Sequence, residues 1–184
     1  MANITVHARV AYPHLAQPKA FKGEKDPKYS VTLVIPKDDP QIATIRAIEH
    51  DLIAKELDGV IPTGNNILLK EAPNNPAMAG CYLMAAKTKD QPGLSHRTEA
   101  GRQKLLDPTV IQDGDWCYCA INIYAYTQPS KGVTSFLNYV MFDRRGEGKL
   151  GTGGGPSEDE AFAHVPGAAA SPGGVTQVNP NPFG

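Results

Sequence analysis

The sequence predicts a mainly β domain of five strands with one helix, followed by a tail too poor in apolar residues to build a core. Three observations carry this reading. Apolar residues alternate with period two in five separate segments, as strands with one buried face require. One segment only, residues 38–59, changes to a helical period. Beyond Gly151 large apolar side chains almost disappear, and such a stretch cannot bury enough surface to offset its ordering entropy. The chain of 184 residues, 41% of them hydrophobic, suffices for one ordinary domain and an appendage. We therefore expect a folded domain over residues 1–150 and a disordered tail over residues 151–184.

The elements follow in order. "NITVHARVAY" alternates over Ile4, Val6, Ala8 and Val10, and "KYSVTLVIPK" is β-rich up to Pro36, so both read as strands. Between them lies a polar connection containing Pro18, Gly23 and Pro27, which discourage regular structure. In "DDPQIATIRAIEHDLIAKELDG" Asp39 is the expected N-cap and Pro40 the first helical residue. Ile42, Ile45, Ile48, Leu52 and Leu57 form its apolar stripe, and Gly59 ends it. After a Pro-, Gly- and Asn-rich region, "CYLMAAKTK" is a third strand, and "QPGLSHRTEAGRQKLLDP" reads as a polar loop with room for a helical turn. Asp113 and Gly114 turn the chain into "DWCYCAINIYAY", and "TQPSKG" joins that strand to "VTSFLNYVMFDRR" as a hairpin.

Charge divides unevenly. Residues 1–145 hold 17 Lys and Arg against 15 Asp and Glu, whereas residues 146–184 hold Lys149 against Glu147, Glu158, Asp159 and Glu160. The domain is slightly basic and the tail weakly acidic. No run reaches the roughly eighteen apolar residues of a membrane helix, and the N-terminus lacks the apolar core of a signal peptide. Together with three cysteines, an odd number best read as reduced thiols, this places the expected location in the cytoplasm.

The motifs of enzymes fit poorly. Gly146, Gly148 and Gly151 have G-x-G-x-x-G spacing, but "TGGGP" follows and cannot open the helix that a dinucleotide site requires. Cys117 and Cys119 lack a second pair of ligands to complete a zinc site, and Cys81 and the five histidines are scattered. Asp38, Asp39, Asp113 and Asp115 fall where caps and turns favour Asp. We expect no catalytic residue, no metal and no cofactor.

The strand "DWCYCAINIYAY" carries the strongest functional signal. Cys117, Cys119, Ile121 and Ile123 share one face, and Trp116, Tyr118, Asn122, Tyr124 and Tyr126 share the other. The small apolar face suits a core, which turns the rings outward. Rings exposed along a strand are costly unless they bind something, although some of them can pack beneath a loop with the hydroxyl outward. Bases are a fitting ligand, because each stacked base contributes about 1–3 kcal/mol and every base has a π face. Lys19, Lys22, Lys25, Lys28, Lys87, Lys89, Arg97, Arg102 and Lys104 are available for phosphates. Glu24 and Asp26, interleaved with the first of these, weaken that loop as a site by itself.

"DPKYSVTLVIPK", the single helix, "DGDWCYCAINIYAY" and "KGVTSFLNYVMFDRRGEGKLG" together resemble the bacteriophage single-stranded DNA-binding proteins of the DUF2815 family, over most of residues 4–151. The resemblance implies an OB-type barrel of five strands with one inserted α-helix. It also implies binding of single-stranded DNA without marked sequence preference, in phage replication, recombination or repair inside the infected bacterial cell; the sequence leaves a monomer or a dimer open. The stacking set would be Trp116, Tyr118, Tyr124 and Tyr126, with Tyr12, Phe21, Tyr29 and Tyr82. Such proteins often dock partners through an acidic tail, which points here to Glu158, Asp159, Glu160, Phe162 and Phe183, although the acids lie more than twenty residues before the end. Two other readings of the residues stay open: a protein-interaction module that grips a peptide or second subunit on the ring face, and a metal-dependent nuclease built on the Asp pairs.

Overall fold

The computed structural model describes residues 1–20, 25–71 and 74–151. The expectations for Phe21, Lys22, Glu24 and residues 152–184, among them Glu158, Asp159, Glu160, Phe162 and Phe183, lie outside the described residues. The elements are β1 (Ala2–Lys19), β2 (Lys28–Pro36), α1 (Gln41–Glu56), β3 (Lys70–Glu71), β4 (Cys81–Thr88), β5 (Gly93–Thr98), β6 (Gly101–Lys104), β7 (Trp116–Tyr126) and β8 (Gly132–Arg144).

β1 is long enough to serve two neighbours. Its first half, Ala2 to Arg9, pairs antiparallel with β7, and its second half, from Arg9 to Lys19, pairs antiparallel with β2. The handover is made by a bulge: the β1–β2 register shifts between Ala11 and His14, and Tyr12 stands at φ 50°. A bulge bends a strand and increases its twist, which lets one strand curve between both halves of the barrel. β2 pairs antiparallel with β4, β7 with β8, and the ring closes where β4 meets β8 in parallel at Ala86 with Ser135 and Lys87 with Phe136. The Ser135 hydroxyl donates to the Ala85 carbonyl at 2.9 Å across this seam. The ring β1–β2–β4–β8–β7 is the five-stranded OB-type barrel.

The alternating residues fill its inside. Val6, Ala8 and Val10 meet Leu33, Ile35, Met84, Ala86, Cys117, Cys119, Ile121, Ile123, Leu137 and Val140, all buried in one cluster. α1 adds Ile42, Ile45 and Leu52 to the same cluster. Its N-terminus is tied to β1: the Gln41 side chain accepts from the His7 N–H at 2.8 Å and donates to the His7 carbonyl at 2.9 Å. The Asp39 carboxylate accepts from the Gln41 N–H at 2.8 Å, so the expected capping group acts from one residue outside the Pro40 cap position.

Two segments differ from the sequence expectation. Residues 93–104, expected as a polar loop, form the hairpin β5–β6, because the outer edge of β8 beyond its contact with β4 is open and pairs in parallel with Gly93–His96. Lys19 and its neighbours, expected in a loop, continue β1 because the edge of β2 supplies hydrogen-bonding partners. Neither stretch alternates strongly; available edges, more than side-chain pattern, made them strands.

The chain after β8 is fastened down by buried charge. Asp115, nearly inaccessible, accepts from Arg145 Nη1 at 2.6 Å and from the Gln112 N–H at 2.8 Å. The Asp113 carboxylate accepts from the N–H groups of Leu150 and Gly151 at 3.2 and 2.8 Å. Arg9 donates to the carbonyls of Gly114, Glu147 and Gly148 at 2.7–2.8 Å. A Cβ on Gly146 would fall on the Gly114 carbonyl oxygen. The G-x-G-x-x-G spacing is therefore a backbone clasp, and Asp113 and Asp115 are its fasteners. Replacing Gly146 with Ala should lower stability by about 1–3 kcal/mol, read as a lower urea midpoint; an unchanged midpoint would contradict the close approach.

Candidate nucleic-acid interface

β7 divides as its alternation demands. Cys117, Cys119, Ile121 and Ile123 are buried, and Trp116, Tyr118, Tyr124 and Tyr126 are half-buried on the outer side. Burial pushes the Cys119 thiol up to about 12 and raises Cys117 as well, which disfavours the thiolate a metal would need. Among the described residues no three His, Cys, Asp or Glu are grouped to hold a metal.

The outer residues form a ladder of flat groups. The Arg144 guanidinium lies 4.8 Å from the centre of the Trp116 ring. His7 lies 5.2 Å from Trp116 and stacks on Tyr118 at 4.2 Å with 20° between planes. Arg97 of β5 then donates to the Tyr118 hydroxyl at 3.3 Å. Asp143 holds the ladder from below: its side chain, 8% exposed, meets His7 Nε2 at 3.2 Å, Arg97 at 3.2 Å and Arg144 at 2.9 Å.

Beside this ladder runs a groove of about 540 Å³ across β7, β8, β5 and β6, lined by Gly93, Ser95, Arg102, Lys104, Tyr118 and Tyr139 among others. Tyr139 is 61% exposed and its ring rests on Gly93, where any Cβ would strike it. Tyr139 lies outside the stacking set expected from the sequence. The cause is a register shift between the pairs Ala120–Tyr139 and Ile121–Leu137, which makes Asn138 an extra residue. Plain alternation with Leu137 and Val133 buried would turn residue 139 inward; the bulge turns Tyr139 outward, onto the side that Phe136, 38% exposed, already faces by regular alternation.

On the other side of the closing seam, β1, β2 and β4 carry a cleft of about 260 Å³ lined by Tyr12, His14, Lys19, Thr32, Ala85 and Lys87 among others. Tyr12 is 44% exposed. The cleft's basic residues His14, Lys19 and Lys87 sit together. Partial burial and then the Lys19 charge hold His14 below its ordinary pKa, and partial burial and then Lys87 do the same to Lys70 of β3. His14 and Lys70 carried no motif signal of their own; the strand register alone brings them to this face.

These arrangements can be set beside known proteins. The family model of the ssDNA-binding protein of Enterobacter phage Enc34 matches residues 1–171. The chain belongs to this family. Protein p50 of Acyrthosiphon pisum secondary endosymbiont phage 1 is 28% identical over 173 residues, spanning 85% of this chain and 89% of its own length. The single-stranded DNA-binding protein from bacteriophage Enc34 in complex with ssDNA has a TM-score of 0.67 at 23% identity, covering 81% of this chain and 89% of that one. The gp2.5 single-stranded DNA-binding protein of bacteriophage T7 has a TM-score of 0.55 at 14% identity, covering 85% and 99%. At these identities the structural likenesses establish the fold.

Within this Enc34-family barrel the remaining expected residues scatter. Tyr82 lies under Lys37 and Arg46, 5.2 and 4.9 Å from the ring centre, beside α1. The Tyr126 hydroxyl donates to Asn66 at 3.0 Å, and Tyr124 is half-buried, its hydroxyl pKa raised by burial and then by Tyr126. Tyr29 is half-buried opposite Thr88 on β4. Lys28 opposes Lys19 at the end of the β1–β2 ladder, Lys25 is exposed beyond it, and Lys89 pairs with Asp26 at 3.6 Å. The structure thus brings Tyr118, Arg97, Arg102 and Lys104 together in one place and Tyr12, Lys19 and Lys87 in another. With Cys117 and Cys119 sealed inside, a thiol reagent should modify only Cys81 in the native chain and all three cysteines in denaturant; rapid native labelling of two or three thiols would contradict the inward assignment.

Proposed function

We propose that this chain binds single-stranded DNA without catalysis and without marked sequence preference, with the face over β1, β2 and β4 as its primary track. OB barrels take oligonucleotides on the face of their second and third strands and on the flanking loops, which are β2 and β4 here. The observation that carries the proposal is the cleft that sets Tyr12 beside His14, Lys19 and Lys87. Burial first, and then the charge of Lys19 or Lys87, lowers the pKa of His14 and of Lys70, and a bound phosphate would offset those positive charges. Tyr12 supplies a ring on which a base can stack. Lys25 and Lys28 add basic residues near the end of the β1–β2 ladder, and Lys89 is paired with Asp26.

Family membership supports a role in phage DNA replication, and we extend it to recombination or repair within the infected bacterial cell. Glu158, Asp159, Glu160, Phe162 and Phe183 are our candidates for docking partner proteins, on the grounds of acidity and aromatic content.

Titration of a fluorescent oligo(dT) tests the proposal. Affinity should fall with salt, log K against log salt having a slope of about −0.7 per phosphate contacted. Lys70→Glu with Lys87→Glu should weaken binding by about tenfold or more and flatten that slope; salt-independent binding would overturn the electrostatic track. Phosphate beside His14 favours the imidazolium, so binding takes up a proton. Affinity should therefore rise as pH falls from about 7.5 towards 5.5, and His14→Gln should remove that rise.

A further inference from the structure

We infer that the groove over β7, β8, β5 and β6 is a second single-stranded DNA contact, reached by the same strand after it crosses β8; this rests on the reading of the barrel as a DNA binder. The groove lies on the far side of the β4–β8 seam from the Tyr12 cleft, and nothing about a standard OB face requires it. Its contents match the ligand. Tyr139 is 61% exposed with one ring face seated on Gly93, which fixes the ring while leaving it accessible, as a stacking platform needs. Tyr118 is held upright by His7 stacking and by Arg97.

Charge complementarity selects a polyanion over an apolar partner. Arg102 and Lys104 stand exposed on β6 as the wall of the groove, and no carboxylate among the described residues pairs with either. An exposed β6 edge with this composition resists pairing with another strand, which argues against a second copy of the chain as occupant. The route between the two sites is also present: Lys87 of the first is the register partner of Phe136, which is 38% exposed. Farther along β8, Tyr139 opposes Gly93. A strand crossing β8 thus steps from Lys87 past Phe136 to Tyr139 without leaving the outer face.

Oligo(dT) of graded length separates this groove from the primary track, using the full chain, Tyr139→Ala, and Arg102→Glu with Lys104→Glu. The wild type should gain affinity with length until both surfaces are covered. Both variants should bind the shortest oligomers like the wild type and lose at least about fivefold of the gain from longer ones, the lower bound for one stacked base. An undiminished gain in both variants would overturn the inference. Equal loss at every length would overturn it too, since the groove would then be the primary site. A wild type that takes no oligonucleotide would instead refute the parent reading, and the groove with it.

Discussion

The sealed inner face of β7 is the constraint from which the rest of the molecule follows. A strand has two faces and period two, so placing Cys117, Cys119, Ile121 and Ile123 against Val6, Ala8 and Val140 leaves Trp116, Tyr118 and Tyr124 only the outside. Small side chains inside a narrow barrel, and large rings outside it, are one decision and not two. The outer rings are then prevented from collapsing by charge: Asp143 anchors three cationic or protonatable partners, and these hold Trp116 and Tyr118 in a fixed stack. Fixed rings lose less conformational freedom on binding than free ones, which favours affinity.

Closure of the barrel does the complementary work. The short parallel seam between β4 and β8 brings Lys87 beside Phe136, and the two bulges, near Tyr12 in β1 and at Asn138 in β8, re-aim rings that a regular strand would have buried. Bulges that redirect side chains are frequent beside functional sites. Each of the two clefts therefore owes one aromatic residue, Tyr12 or Tyr139, to an interruption of strand geometry, and its basic residues to strands paired alongside.

Much of this was legible in the residues. The five ring strands, the one helix and the division of β7 into a small face and a ring face follow from periodicity, and the convergence of Tyr118 with Arg97, Arg102 and Lys104 joins residues already singled out from different segments. What was not legible depends on pairing. Tyr139 was hidden because a bulge reverses phase without any composition signal, and Lys70 and His14 matter only through neighbours distant in sequence. The β5–β6 hairpin looked like a loop because its strand character comes from the free edge of β8. Tyr82, read as a stacking candidate, lies beneath Lys37 and the α1 residue Arg46, a contact between residues that the sequence pattern does not bring together.

In the proposed binding mode DNA lies on the outer face of the barrel across β1, β2, β4, β8 and β7. Photochemical cross-linking of a 5-bromodeoxyuridine-substituted oligonucleotide to the full chain, followed by peptide mapping, tests it directly. Adducts should fall on Tyr12 and on Tyr118 or Tyr139. Adducts confined to Tyr82 and Tyr126, with none on those three rings, would contradict the account.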